Sequence, residues 1–164
     1  MGELSDDEAN AVILEMCRII QANGDSYNDE LPITMNPPWE FTDMSAWQST
    51  LMNAWLDANG LERDASAVEV MARMRSRYSI DGNYTADDMR VIAGVRYAVN
   101  VRYVVNTSDY TFAQDVSINT ITSLMEADLP GFEVQVSYIR EYNTTYAPHI
   151  LGFTGAMSAE QYKY

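Results

Sequence analysis

One cysteine, one histidine and one lysine are spread over 164 residues, and each scarcity removes a class of chemistry. With Cys17 alone, no intrachain disulfide can form. Cys17 sits among Ile13, Met16 and Ile20 at helical spacing with only Arg18 as a nearby base, which favours a buried core thiol over a reactive one. A metal site or triad built on histidine would have His149 and no neighbouring ligand. No apolar run approaches the about 18 residues of a membrane span. The N-terminus has no basic stretch followed by an apolar one, and Asp6 stands where a myristoylation pattern needs serine or threonine. No H-E-x-x-H, G-x-S-x-G, phosphate-binding loop or G-x-G-x-x-G motif occurs, and no repeat or low-complexity segment.

What is abundant is acid and apolar bulk. The 24 acidic residues give a net charge of −14, which makes nucleic acid and anionic membrane surfaces poor partners. A share of 47% apolar residues, with ten methionines and three tryptophans, argues for an ordered core of large, adaptable side chains. The length fits one domain or two small subdomains sharing a core. Six of the ten basic residues lie between Arg73 and Arg102, where pairing with the surplus carboxylates is expected. Nothing singles out a carboxylate pair of the kind a glycan hydrolase uses.

Ser5-Asp6-Asp7-Glu8 is a capping box, and Ala9, Val12, Ile13, Met16 and Ile20 give the following helix one apolar face until Asn23-Gly24. Residues 25–41 read as extended or loop, because Pro32, Pro37 and Pro38 resist helix. A second helix follows Thr42-Asp43, with Met44, Trp47, Leu51 and Trp55 as its stripe and Asn59-Gly60 as its stop. A third starts near Asp64 with Ser66 and Glu69 as its box, and a fourth is capped by Thr85 and Asp88 and runs through Met89, Ile92 and Val95. Asp81–Asp87 alternates oxygen side chains like a calcium loop, but Ala86 and Ile92 occupy the positions that need glycine and glutamate, so a turn with a helix cap is preferred.

Beyond residue 102 the pattern changes. Tyr103-Val104-Val105 and Tyr110–Ala113 are β-prone. Ser117 opens a short helix with Ile118, Ile121, Leu124 and Met125, and Leu129-Pro130-Gly131 is a turn. Phe132, Val134, Val136, Tyr138, Arg140 and Tyr142 then alternate with polar residues as a strand with one apolar face. Helices first and strands later predict an α+β fold: a mostly helical head over 1–105, then a small antiparallel sheet with short helices over 106–164.

Arg140 on that apolar face requires a carboxylate or carbonyl partner. It is followed by Tyr142, by Ala147-Pro148-His149-Ile150-Leu151-Gly152-Phe153-Thr154-Gly155, and by Ser158-Ala159-Glu160. The run resembles the R-x-Y … A-x-H-x-L-G-[YF]-x-G … S-x-E segment that closes the non-catalytic pedestal, or dimerisation domain, of class B penicillin-binding proteins. Phe112–Ser117 and Leu129–Val134 resemble the stretch before it, and Arg77–Ile80, Thr85 and Arg96-Tyr97 are similar to the helical head of Gram-positive members. Asn143-Thr144-Thr145 departs from the family, which often has proline and glycine in that turn.

The resemblance implies a scaffold rather than a catalyst. The family's S-x-x-K, S-x-N and K-T-G signature belongs to a separate transpeptidase domain; Lys163 has no serine three residues before it and no Thr-Gly after it. The expectation is therefore a pedestal lying between an N-terminal membrane anchor and a penicillin-sensitive transpeptidase domain, on the extracytoplasmic face of a bacterial membrane. Implied partners are that transpeptidase domain, glycan-polymerising proteins of the elongation or division machinery, and a second copy. No cofactor or metal is implied. Arg140 would anchor its strand through a buried ion pair, Tyr142 would pack beside it, His149 would pin the next turn, and Gly152 and Gly155 would allow close backbone approach, with Pro130 and Gly131 at the preceding turn. The alternatives are a free-standing extracellular binding module and a small acidic hydrolase.

Overall fold

The computed structural model describes residues 4–105 and 110–130, all within one compact unit. Serine caps set most of the helix starts. Ser5 and Glu8 exchange backbone bonds at the head of α1 (Asp6–Ala22), and Ser66 and Glu69 do the same at the head of α3 (Ala67–Arg77). Between them α2 (Ala46–Asn59) is opened by a Ser45–Gln48 box, three residues later than Thr42-Asp43 suggests. It ends at Gly60, whose φ of +68° is open to glycine without strain. At the head of α4 (Ala86–Val105) the Thr85 hydroxyl accepts from the Asp88 N–H at 3.1 Å. Ser117 caps α5 (Ile118–Glu126). In the turn before α4, Asp81 accepts from the Asn83 backbone N–H (2.8 Å) and side-chain amide (2.9 Å), which is the turn-and-cap arrangement.

Helix α4 is the axis. Helices α1, α2 and α3 all pack on it, and it buries Ile92, Ala93, Gly94, Val95, Tyr97, Ala98 and Val101. A helix apolar on several sides belongs in the middle of a bundle. Trp55 and Leu56 of α2 and Val70, Met71 and Met74 of α3 complete the main core. A smaller cluster joins Met16 and Ile20 of α1 to Leu124 of α5, with Tyr27, Phe112 and Leu129 around it. Cys17 is buried on α1, as its spacing suggests. No helix among the described residues is long and apolar enough to cross a membrane.

The α+β expectation is overturned. Among the described residues every regular element is a helix, and the only β feature is an isolated antiparallel bridge between Ile33 and Phe41. Tyr103, Val104 and Val105 do not start a strand; they continue α4. Intrinsic β preference is weak beside packing, and the preceding turn is already fixed by buried Tyr97 and Val101. Tyr110–Ala113 is non-helical and runs beside Asn28, which donates to Phe112 O (2.7 Å) and Thr111 O (2.6 Å), without forming a ladder. The alternating run from Phe132 to Tyr142 lies outside the described residues. Two apolar stripes also need correction: Trp47 is 58% exposed in the first turn of α2, and Ile118 and Met125 are 72% and 67% exposed on α5.

Candidate functional site

Residues 25–41 carry no helix, yet two arginines of α4 fasten them to the bundle. Arg90, 1% exposed, donates through Nε and Nη2 to Ile33 O (3.1 and 2.8 Å) and through Nη2 to Leu31 O (2.7 Å). Its Nη2 also pairs with the Asp29 carboxylate at 2.9 Å. A fork of donors suits two carbonyls and a carboxylate at once, which a lysine could not match. Gly94, one turn along α4, makes room: a Cβ there would lie 2.7 Å from Arg90 Nη1 and 2.8 Å from Asp29 Oδ1. Further along, Arg102 holds Glu30 through two bonds of 2.6 Å and lies over the Tyr110 ring at 5.0 Å. The Glu30 hydrogen bond is the main cause that raises the already high Arg102 pKa. The Tyr110 hydroxyl donates to Asn28 O, so one short stretch is held from α4 and from the 110–113 segment together.

A second polar cluster ties α1 to α4. Asn10 is fully buried; it donates to Tyr78 O (2.8 Å) and accepts from Arg96 Nε (3.0 Å). Arg96 also pairs with Asp6 at 3.2 Å, and its guanidinium lies 5.7 Å from the Tyr78 ring centre. Four arginines of the run from Arg73 to Arg102 are thus spent on bonds within the protein, the fourth being the exposed Arg73, which caps α2 by donating to Asn59 O at 3.0 and 2.7 Å. Asp25 plays the same part for α5, accepting from the Ser117 N–H (2.9 Å) and the Thr120 hydroxyl, bonds that lower its pKa, the Thr120 one most.

The 31–42 stretch turns back on itself, with Thr34 N–H donating to Glu40 O (2.9 Å) and Thr42 N–H to Pro32 O (3.1 Å). Where it meets α2, a hollow of about 380 Å³ opens. Phe41, Met44, Met52 and Leu56 supply its apolar floor, and Arg63, Asp64 and Ser66 stand at its edge. Asp57 pairs with Arg63 (2.8 Å) and Glu69 with Ser66, and these bonds hold both carboxyls below their ordinary values.

Nothing in these arrangements poises a reacting group. Burial pushes the Cys17 thiol up to about 12, far from a thiolate at neutral pH. Burial likewise raises Tyr27, Tyr97 and Tyr110. Among the described residues no three His, Cys, Asp or Glu side chains gather as a metal site would require. Of the residues singled out by resemblance, Pro130 lies in an exposed turn after α5; Gly131, Arg140, Tyr142, His149, Gly152 and Gly155 lie outside the described residues. Asp29, Glu30 and the hollow's floor were not legible as a unit. The one usable signal was the density of arginines on α4 in so acidic a chain.

Comparison with known families supplies the assignment. No curated protein and no solved structure matches the chain. The family model described as the penicillin-binding protein dimerisation domain matches residues 2–164, nearly the whole length. The chain therefore belongs to the penicillin-binding protein dimerisation domain family, the non-catalytic modules of proteins that build the bacterial cell wall.

Proposed function

We propose that this domain is the pedestal of a class B penicillin-binding protein, carrying a peptidoglycan D,D-transpeptidase domain and docking partner proteins outside the cytoplasmic membrane. The family match over residues 2–164 carries this reading. The arrangement of the charged side chains is consistent with it: they brace helices and one long non-helical segment, as a spacer requires. In the proposed parent, an N-terminal transmembrane helix anchors the chain. The transpeptidase serine attacks a peptide bond near the end of a stem peptide, forming an acyl-serine and releasing the C-terminal residue as the leaving amine, and the pedestal holds that serine away from the membrane. A glycan-polymerising membrane protein and a second copy of the pedestal are the proposed partners. Arg140, Tyr142, His149, Gly152 and Gly155 are proposed to form the joint that leads into the transpeptidase.

The test is acylation by a fluorescent penicillin. The 164-residue chain is expected to stay unlabelled, while the product of the complete gene becomes labelled on a serine followed three residues later by lysine. Labelling of the isolated chain would sink the pedestal reading, as would a complete gene product that no penicillin acylates.

A further inference from the structure

Among the described residues, helix α3 is where the bases of this acidic chain go unmatched. The five ion pairs there use Arg18, Arg63, Arg90, Arg96 and Arg102. Arg73, Arg75 and Arg77, all on α3, are in none of them. Arg73 turns Nε and Nη2 to Asn59 O, Arg75 has an Nε without a hydrogen-bond partner, and Arg77 lies 5.8 Å from the Tyr78 ring centre. The helix dipole favours bases in a last turn, but it is no counter-ion for three guanidiniums. Glu69 stands four residues before Arg73, the spacing of an internal helix pair, yet its Oε2 is spent on the Ser66 N–H and hydroxyl. The helix is therefore divided, with its one acid in the first turn and its three bases in the second half. Its outer face is open: Val68, Glu69, Ala72, Arg73, Ser76 and Arg77 are exposed, while Ala67, Val70, Met71 and Met74 are buried toward the core.

A helix acidic at its head and basic at its tail complements a reversed copy of itself. A partner of one sign throughout, polyanion or polycation, meets like charge at one end of this face. A two-fold axis beside Ala72 sets two α3 helices antiparallel, so that a residue three before Ala72 lies level with the residue three after it in the other copy. Glu69, Arg73 and Arg77 follow one another at four-residue steps and share one flank. Across the two-fold, Glu69 of one copy then falls between Arg73 and Arg77 of the other, and the reverse pairing is identical. We propose that this chain self-associates through α3, with Glu69 of each copy paired to Arg73 and Arg77 of its mate. The proposal rests on the pedestal reading and gives a face to the second copy named there. The atoms needed are uncommitted: Ser66 takes only Oε2 of Glu69, and Asn59 O takes only Nε and Nη2 of Arg73. Two bodies of net charge −14 repel at a distance, which favours approach along a helix that carries more base than acid.

Sedimentation of the whole chain from about 10 μM to about 1 mM measures the association. The contact spans one 11-residue helix, about 16 Å long, so a transient interface with Kd on the order of 100 μM is expected. Arg77→Glu and Glu69→Lys both alter exposed side chains, and each alone should weaken self-association about tenfold. Mixed one to one, the two variants should recover most of it. The mixed pair sets the introduced lysine against the introduced glutamate on one side and keeps Glu69 against Arg77 on the other. A second measurement covers the case in which Glu69→Lys, losing its bond to Ser66, fails to fold. Ala72→Cys supplies one accessible thiol, because Cys17 is buried. Under diamide it should cross-link between copies about tenfold faster than Asn119→Cys, exposed on α5. A chain that stays monomeric to about 1 mM would overturn the proposal. So would association indifferent to Arg77→Glu, a mixture no stronger than its folded components, or equal cross-linking at the two cysteines. If the chain is monomeric and unlabelled by penicillin while the complete gene product is labelled, the α3 proposal falls and the pedestal reading stands.

Discussion

Gly94→Ala sets two effects of opposite sign against each other. Gly94 lies inside the 20-residue α4, where alanine should be favoured over glycine by about 1 kcal/mol through helix propensity alone. Against that, the new Cβ would come within 2.7 Å of Arg90 Nη1 and 2.8 Å of Asp29 Oδ1, too close for either to remain. Arg90 cannot swing away cheaply, because it is buried and bonded to the carbonyls of Leu31 and Ile33. Asp29 can, since its side chain is 30% exposed, and the pair would open. A charge-assisted hydrogen bond contributes about 1.5–3 kcal/mol, and the partial exposure of Asp29 argues for the lower part of that range. The difference leaves Gly94→Ala destabilising by about 1 kcal/mol, read as a lower urea midpoint at unchanged slope. In an Asp29→Ala background the contact with Asp29 Oδ1 is gone and no ion pair is left to open, so the same substitution should cost less, with only the contact at Arg90 Nη1 remaining against the gain in helix propensity. A Gly94→Ala variant more stable than the parent chain, or one whose effect is identical in both backgrounds, would refute the close-approach argument.

Two further outcomes follow from the same geometry. Arg90→Met keeps the bulk but leaves Asp29 and the carbonyls of Leu31 and Ile33 without their donor; a loss of about 3–5 kcal/mol is expected by denaturation, with amide exchange accelerating first over residues 25–41. Asp25 titrates below the ordinary aspartate value of 3.8 because Thr120 and Ser117 donate to it, so its contribution is present above that value and lost as pH falls through the lower, folded-state value. Acidification should therefore release α5, seen as amide exchange over Ile118–Glu126, and Asp25→Asn should flatten that pH dependence.

The helices were readable because their ends are written locally. Ser5, Ser66 and Ser117 each accept from a backbone N–H three residues on, a bond that needs no tertiary partner, and all three were found from spacing alone. Trp47 and Tyr103–Val105 were misjudged for the converse reason. Apolar character says that a side chain prefers burial, not that the bundle reaches it. Tyr103 and Val104 lie on the face of α4 that no neighbour covers, while Val101 and Val105 on the other face meet the core, so both are exposed on a helix that packing has already dictated. The tether of residues 25–41 was the least legible part. Asp29 and Arg90 are 61 residues apart, and nothing in residues 25–41 shows which of its carboxylates faces inward. The specific part of the resemblance lay in residues 110–161, whereas Asp29, Glu30, their α4 arginines and the hollow lie before residue 103.

The spacing of the three α4 arginines explains why a segment without helix can be part of a rigid body. Arg90, Arg96 and Arg102 stand six residues apart, and each such step turns an α-helix by about 240°, so the three leave α4 at thirds of its circumference. Arg96 reaches α1 at Asp6 and Asn10, while Arg90 and Arg102 reach adjacent residues, Asp29 and Glu30. Those two arginines are separated by about 18 Å of helix rise. Their long side chains converge on one dipeptide from opposite ends, and opposed tethers resist sliding of residues 25–41 along α4, which one ion pair would permit. An exposed pair alone contributes only about 0–1 kcal/mol. Convergence on carbonyls, a carboxylate and a second carboxylate is what turns the surplus of acid in this chain into a fixed position for Phe41 and Met44, and so for the floor of the hollow they form.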